Sequence, residues 1–169
     1  VEQLVKDVTG ASTVFVFDSN VRNDGPTRRS GIGVQVPVSR AHNDYTMQSA
    51  LRRVRDVVPS DEARQLLDHR VVQINVWRPI RGPLQTILLA VLDAASLQPE
   101  DLVACDLIYR DRIGEIYYLA HNPQHAWYYF PDMRREEVLL LKGFDSDKTR
   151  AHFGVHAAFA HPHTAADAQ

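Results

Sequence analysis

Six stretches decide the fold: RVVQINVW (70–77), TILLAVLD (86–93), LVACDLIY (102–109), GEIYYLAH (114–121), AWYYF (126–130) and EVLLLKGF (137–144). Each is rich in the β-branched and aromatic residues that pack well on a pleated surface. Between them lie RPIRGP, QPED, RDRIG, NPQH and PDMRRE, where Pro, Gly, Asn and Asp punctuate the chain. Strands recurring about every 8 to 15 residues with turn signals between them indicate a β-sandwich or jelly roll. No helical pattern alternates with them, which argues against a parallel βαβ architecture.

Outward from this block, TMQSALRRVRDVV (46–58) places Met47, Leu51, Val54 and Val58 at helical spacing and stops at Pro59. Ser60 then caps a second short helix through His69. Further upstream, STVFVFDSNVRN (12–23) reads as a buried strand, NDGPTRRSG (23–31) as a loop and IGVQVPV (32–38) as an alternating segment. Val1 to Val8 has the pattern of a helix end with Leu4, Val5 and Val8 on one face, closed at Gly10. The terminal HPHTAADAQ (161–169) is small and polar enough to fray. The expectation is one mainly β domain with flanking helices over 1–169, a double-stranded β-helix of the cupin-like jelly-roll kind.

With 169 residues, 44% of them hydrophobic and 24% charged, the chain is large enough to bury a core without disulfides or a structural metal. Its single cysteine, Cys105, excludes a disulfide framework and any zinc site needing two thiolates, and reads as a small buried apolar residue. A formal charge of -2 supplies no field for nucleic acid or an anionic membrane surface. Apolar runs such as ILLAVL (87–92) fall far short of the roughly 20 residues of a membrane span. These features lead to the expectation of a soluble cytoplasmic protein acting on a small molecule, with its oligomeric state open.

Dinucleotide, P-loop, serine-hydrolase and zincin motifs are absent from the sequence. What remains is the triplet His42-Asn43-Asp44, directly after an alternating segment, and a group of six histidines beyond residue 120. On extended backbone, side chains two apart share a face, so His42 and Asp44 point the same way. A second histidine from a distant strand would complete a two-His-one-carboxylate set. Such a set occupies one face of an octahedral Fe(II) and leaves three positions for a bidentate cosubstrate and O₂. The competing reading makes Asp44 the cap of a helix starting near Tyr45. For the distal ligand the candidates are His121, His125, His152, His156, His161 and His163, and spacing alone does not choose among them.

Other conspicuous residues have plainer expectations. Trp127, Tyr128 and Tyr129 read as core packing, His125 as a structural hydrogen-bonding group at a strand start, and Tyr109 and Tyr117 as possible pocket walls. The clusters RDR (110–112) and RREE (134–137) read as solvated turns.

The blocks VTGASTVFVFDSNVRN, AHNDYT, VVQINVWRPIRGP, DLVACDLIYRDRIGEIYYLAHNPQHAWYYFPDMRREEVLLLKGFDS and HFGVHAAFAHP resemble, in order and over nearly the whole chain, the CmcJ/AsaB-type hydroxylase and desaturase family. The motifs N-V-W-R-P, N-P-x-H-x-W-Y-Y and F-D-S are distinctive together. The resemblance implies a double-stranded β-helix oxygenase of secondary metabolism that uses Fe(II), 2-oxoglutarate and O₂. It matches His42 and Asp44 to the family's H-x-D ligands and His156 to its distal histidine.

Two departures accompany it. The family carries an arginine after the distal histidine that anchors the 2-oxoglutarate carboxylate by a two-pronged ion pair, whereas this sequence has no Lys or Arg after Arg150. The sequence also begins inside a helix, without the N-terminal segment usual in relatives. Arg78 and Arg81 in NVWRPIRGP are the substitute anchors the sequence offers. The alternatives are a truncated, non-catalytic jelly-roll relative and a metal dioxygenase that does not use 2-oxoglutarate.

Overall fold

The computed structural model describes residues 1–23, 34–110 and 112–162. Most of the loop expected at 23–31, together with Asp111, His163 and the rest of the tail, lies outside the described residues. By internal contacts the chain divides into Val1–Pro37 and Val38–Gln169.

In the first unit, α1 (Glu2–Thr9) ends where expected, at Gly10, whose φ of 72° is left-handed and whose N–H donates to the Lys6 carbonyl at 2.8 Å. The missing Cβ makes that conformation inexpensive. Residues 12–23 do not form the long buried strand their composition suggests. Among the described residues only β1 (Val21–Arg22) of this stretch pairs, in parallel, with β2 (Val34–Gln35), and Phe15, Val16 and Phe17 are exposed. β propensity reports fitness for a half-buried pleated surface, and among the described residues this segment finds only a two-residue ladder.

The second unit holds β3 (His42–Asn43), α2 (Met47–Val57), α3 (Ser60–Leu67), β4 (Val72–Trp77), β5 (Ile87–Leu92), β6 (Leu102–Ile108), β7 (Ile113–Leu119), β8 (Trp127–Tyr129), β9 (Leu139–Asp145) and β10 (His156–Ala160). All six stretches read as strands form strands. The order β6-β7-β3-β10-β5-β8 makes a six-stranded antiparallel sheet, and β4 pairs with β9 in a second. This is the mainly β jelly roll the turn spacing implies. Its core includes Leu88, Leu92, Ile116, Leu141, Phe144 and Val155. Among the described residues no helix is long and apolar enough to cross a membrane.

Local chemistry sets the details near β3. Thr46, not Asp44, caps α2: its Oγ1 accepts from Ser49 N–H at 3.1 Å, and Ser49 Oγ accepts from Thr46 N–H at 2.9 Å. The Thr46 hydroxyl also bonds the Glu115 carboxylate, and Ser49 Oγ donates to the Glu115 carbonyl at 2.7 Å, fastening α2 to β7. Ser60 is the first helical residue of α3, which follows Pro59 without a side-chain cap and ends at Leu67 rather than His69. In the β4·β9 ladder Gln73 faces Phe144 and Ile74 faces Lys142, so Gly143 is the extra residue of a bulge.

Two packing expectations are corrected at sheet edges. Trp127, Tyr128 and Tyr129 are exposed on β8, which among the described residues is an edge strand paired with β5 alone; Tyr129 meets Phe159 edge-on at 5.3 Å. Cys105 lies on β6, the opposite edge, and is only half-buried.

Candidate metal centre

β3 and β10 lie side by side at the middle of the six-stranded sheet, and their antiparallel register sets His42 directly opposite His156. The two imidazole centroids are 4.6 Å apart at 53°. Asp44 follows β3 in the short connection to α2. Its Oδ1 is 3.5 Å from His42 Nε2 and its Oδ2 is 3.8 Å from His156 Nε2. One potential ligand atom from each residue lies within 4.8 Å of the others. Among the described residues this is the one group of three or more His, Cys, Asp or Glu so arranged.

Both rings are oriented in the same way. His42 Nδ1 is 2.7 Å from the Arg40 carbonyl and His156 Nδ1 is 2.9 Å from the Gly154 carbonyl, in each case the residue two earlier. A carbonyl only accepts, so each Nδ1 carries a proton, and each ring turns its Nε2 toward Asp44. Fixing the tautomer from the second nitrogen is how proteins commonly orient metal-binding histidines. Gly154 is needed for this: a Cβ there would stand 2.9 Å from the Lys142 carbonyl oxygen.

Burial by itself would raise the pKa of Asp44. The His42 hydrogen bond, the charges of His156 and His42 when protonated, and the Asn75 amide outweigh it and hold the carboxyl at about 2. At neutral pH the set therefore offers one carboxylate and two imidazole nitrogens, the donor chemistry of the facial triad that binds non-haem Fe(II). The residues present fit that metal.

The β4·β9 sheet holds this connection from the other side. Asn75 on β4 donates its side-chain N–H to Asp44 Oδ2. Fully buried Asn43 donates to the Tyr45 carbonyl at 2.6 Å and to the carbonyl of the bulge residue Gly143 at 2.8 Å. Sequence reasoning missed Asn43, Asn75 and Gly154. The available signal was the distinctive N-V-W block for Asn75 and the middle position of the H-x-D triplet for Asn43.

The other candidates lie elsewhere. His121 is exposed. His125 has the structural place expected of it, with Nε2 2.9 Å from Asp101 Oδ2. His152 Nδ1 donates to the Asp145 carbonyl at 2.8 Å, and His161 stacks edge-on to Tyr129 at 5.9 Å. His163 is outside the described residues. Arg78 and Arg81 are exposed in the loop after β4, where Arg81 lines a surface groove with Gly82, Pro83 and Arg134. Tyr117 packs against Phe153 at 5.2 Å, while Tyr109 is exposed beneath the Arg112 guanidinium. Residues 134–137 are exposed, as expected of a solvated turn.

Fold and site together define the class as that of jelly-roll proteins with a two-His-one-carboxylate set, and comparison with known proteins narrows it. A family model described as the Oxidoreductase/YMDC permease-like domain matches residues 1–169. The hydroxylase/desaturase asaB of Aspergillus flavus is 31% identical over 176 residues, covering 95% of this chain and 71% of that protein. The Fe(II)/2-oxoglutarate-dependent dioxygenase nvfI of Aspergillus novofumigatus is 33% identical over 170 residues, covering 99% of this chain and 60% of that protein. The solved structure of the iron and alpha-ketoglutarate-dependent endoperoxidase NvfI superimposes with a TM-score of 0.90 at 29% identity, covering 99% of this chain and 61% of that one. The chain belongs to this oxidoreductase family of hydroxylases, desaturases and related dioxygenases. It spans about three fifths of the length of nvfI.

Proposed function

We propose that this chain carries the iron site of an Fe(II)/2-oxoglutarate-dependent oxygenase that hydroxylates or desaturates a small molecule of the secondary-metabolite type. The observation that carries the reading is the meeting of His42, Asp44 and His156, with a ligand atom from each within 4.8 Å of the others. In this reading His42 Nε2, His156 Nε2 and the Asp44 carboxylate hold Fe(II). When bound, iron and 2-oxoglutarate supply the oxidising power: O₂ is consumed, 2-oxoglutarate becomes succinate and CO₂, and a substrate C–H bond is oxidised.

The protein's own part is orientation and charge. Arg40 and Gly154 carbonyls keep each Nδ1 protonated, so that each Nε2 is a donor to the metal. Asp44 stays ionised well below neutral pH and offsets part of the ion's charge. Three protein ligands would leave positions on the metal for a bidentate cosubstrate and O₂. Arg78 and Arg81 are the residues we assign to the cosubstrate's distal carboxylate, on the chemical ground that a guanidinium pairs with a carboxylate through two parallel hydrogen bonds. The formal charge of -2 supports a small-molecule substrate over nucleic acid or an anionic membrane surface, and the single cysteine supports a cytoplasmic setting.

The test is anaerobic titration of the metal-free chain with Fe(II) and then 2-oxoglutarate, following the visible charge-transfer band of the chelate. The band appears with the wild-type chain and is absent from His156→Ala. Iron binding without a band overturns the cosubstrate assignment, and absence of iron binding overturns the metal assignment.

A further inference from the structure

Asp44 offers two oxygens, and the number that reach the metal decides how many positions remain open. Two imidazoles and one carboxylate oxygen fill three octahedral positions, whereas two imidazoles and both oxygens fill four. A bidentate cosubstrate together with O₂ needs three open positions. A carboxylate that chelates the metal would therefore leave the proposed chemistry one position short.

The two oxygens have different surroundings. Oδ1 faces His42 Nε2 at 3.5 Å. Oδ2 lies 3.8 Å from His156 Nε2 and also accepts the hydrogen bond from the Asn75 side chain. An ionised carboxylate only accepts, so the Asn75 atom at that contact is its amide nitrogen. Asn75 sits on β4, in register with Leu141 of β9, and so approaches Asp44 from the sheet opposite the one that carries both histidines.

We infer that Asn75 is a positioning residue that occupies Asp44 Oδ2 and keeps the carboxylate monodentate through Oδ1, thereby preserving the third open position of the metal. The inference rests on the iron-site reading above and deepens it, because it names the residue that sets how many exogenous ligands the site takes. Asn75 acts through Asp44 and needs no contact with the metal. Asn75 is exposed and is not part of the buried core, so exchanging it leaves that core intact.

The test loads the 1–169 chain with Mn(II) and counts the metal's exchangeable waters by the broadening of its electron paramagnetic resonance lines in ¹⁷O-enriched water. Wild type gives three waters. Asn75→Leu, close in size but without a donor, and Asn75→Ala, which cannot clash, each give two. Both bind Mn(II) about tenfold or more weakly, the scale typical of losing an outer partner of a metal ligand, and both keep the thermal midpoint of the metal-free chain. Three waters in both variants overturns the inference, whether or not affinity falls, and so does unfolding of both, which would make Asn75 a structural residue. Failure of the wild-type chain to bind Mn(II) overturns the metal reading itself and the inference with it, an outcome distinct from a normal wild type beside unchanged variants.

Discussion

His42 and His156 stand directly opposite one another on neighbouring antiparallel strands, and each donates its Nδ1 proton to the carbonyl of the residue two before it. This local symmetry means that neither ring needs to rotate or change tautomer to present Nε2. Replacing either by alanine would remove one of the three proposed ligands while leaving the ladder's backbone bonds in place. We expect His42→Ala or His156→Ala to lower Fe(II) affinity by more than the 10–100-fold typical of an outer-partner loss, with the far-ultraviolet circular dichroism unchanged. Calorimetric titration reads the affinity, and a variant that still binds like wild type would remove that residue from the site.

Gly154 couples this geometry to the core. Its carbonyl orients His156, and its α-carbon lies so close to the Lys142 backbone that an added Cβ would sit 2.9 Å from the carbonyl oxygen and 3.3 Å from the carbonyl carbon. Backbone cannot yield as a flexible side chain can. Gly154→Ala should therefore cost about 1–3 kcal/mol, the range for overpacking, and weaken metal binding by shifting the carbonyl that holds Nδ1. The measurements are a denaturant midpoint and a metal titration on the same preparation. Stability lost with affinity unchanged would show that the carbonyl does not control the ring.

Much of the fold was legible because strand residues and breakers alternate regularly from residue 70 onward, and a strand's local signal needs no knowledge of its partner. The limits follow from the same fact. STVFVFDSN has strong β propensity but lies outside every strand of the described residues, and the WYY run is exposed on an edge strand, which depends on strand order. At the site, the H-x-D spacing marked His42 and Asp44, since extended backbone puts side chains two apart on one side. The pairing of β3 with β10 is a long-range relation that spacing cannot supply, so six histidines remained open until the family resemblance pointed to one. Asn75 and Asn43 were invisible for the same reason: their partners lie on a strand or bulge distant in sequence.

Asn43, between the two expected ligands, turns to the opposite face and joins the sheets. Its amide nitrogen lies between two carbonyl oxygens, of Tyr45 at 2.6 Å and Gly143 at 2.8 Å, and both of these can only accept. Asn43→Asp keeps the shape but places an acceptor, and a buried charge, against them. We expect a loss of about 3 kcal/mol or more, with Asn43→Ala costing about 2 kcal/mol through the two lost hydrogen bonds. Urea denaturation orders the two variants, and an aspartate variant as stable as the alanine one would show that the amide is not the link between the sheets.

Asp145 gives the fold its clearest dependence on pH. The carboxylate is fully buried at the end of β9, where Arg70 Nε and Nη2 donate to it at 3.0 and 2.7 Å, Lys142 Nζ at 2.9 Å and the Asp147 N–H at 3.0 Å. Burial would raise its pKa, but these donors outweigh burial and hold the group well below the usual carboxylate range. A group whose pKa is depressed by folding stabilises the native state above its unfolded value, near ~4, and that contribution fades as pH falls below it. Asp145→Asn should therefore cost about 3 kcal/mol at pH 7, the lower end for breaking a buried pair. The gap between wild type and variant should then narrow progressively as the pH is lowered from about 5, because the unfolded chain's carboxyl protonates first, and it should close only once the pH falls through the depressed folded value. Thermal midpoints across a pH series measure that gap directly, and a gap independent of pH would assign the loss to packing rather than to the ionised carboxylate.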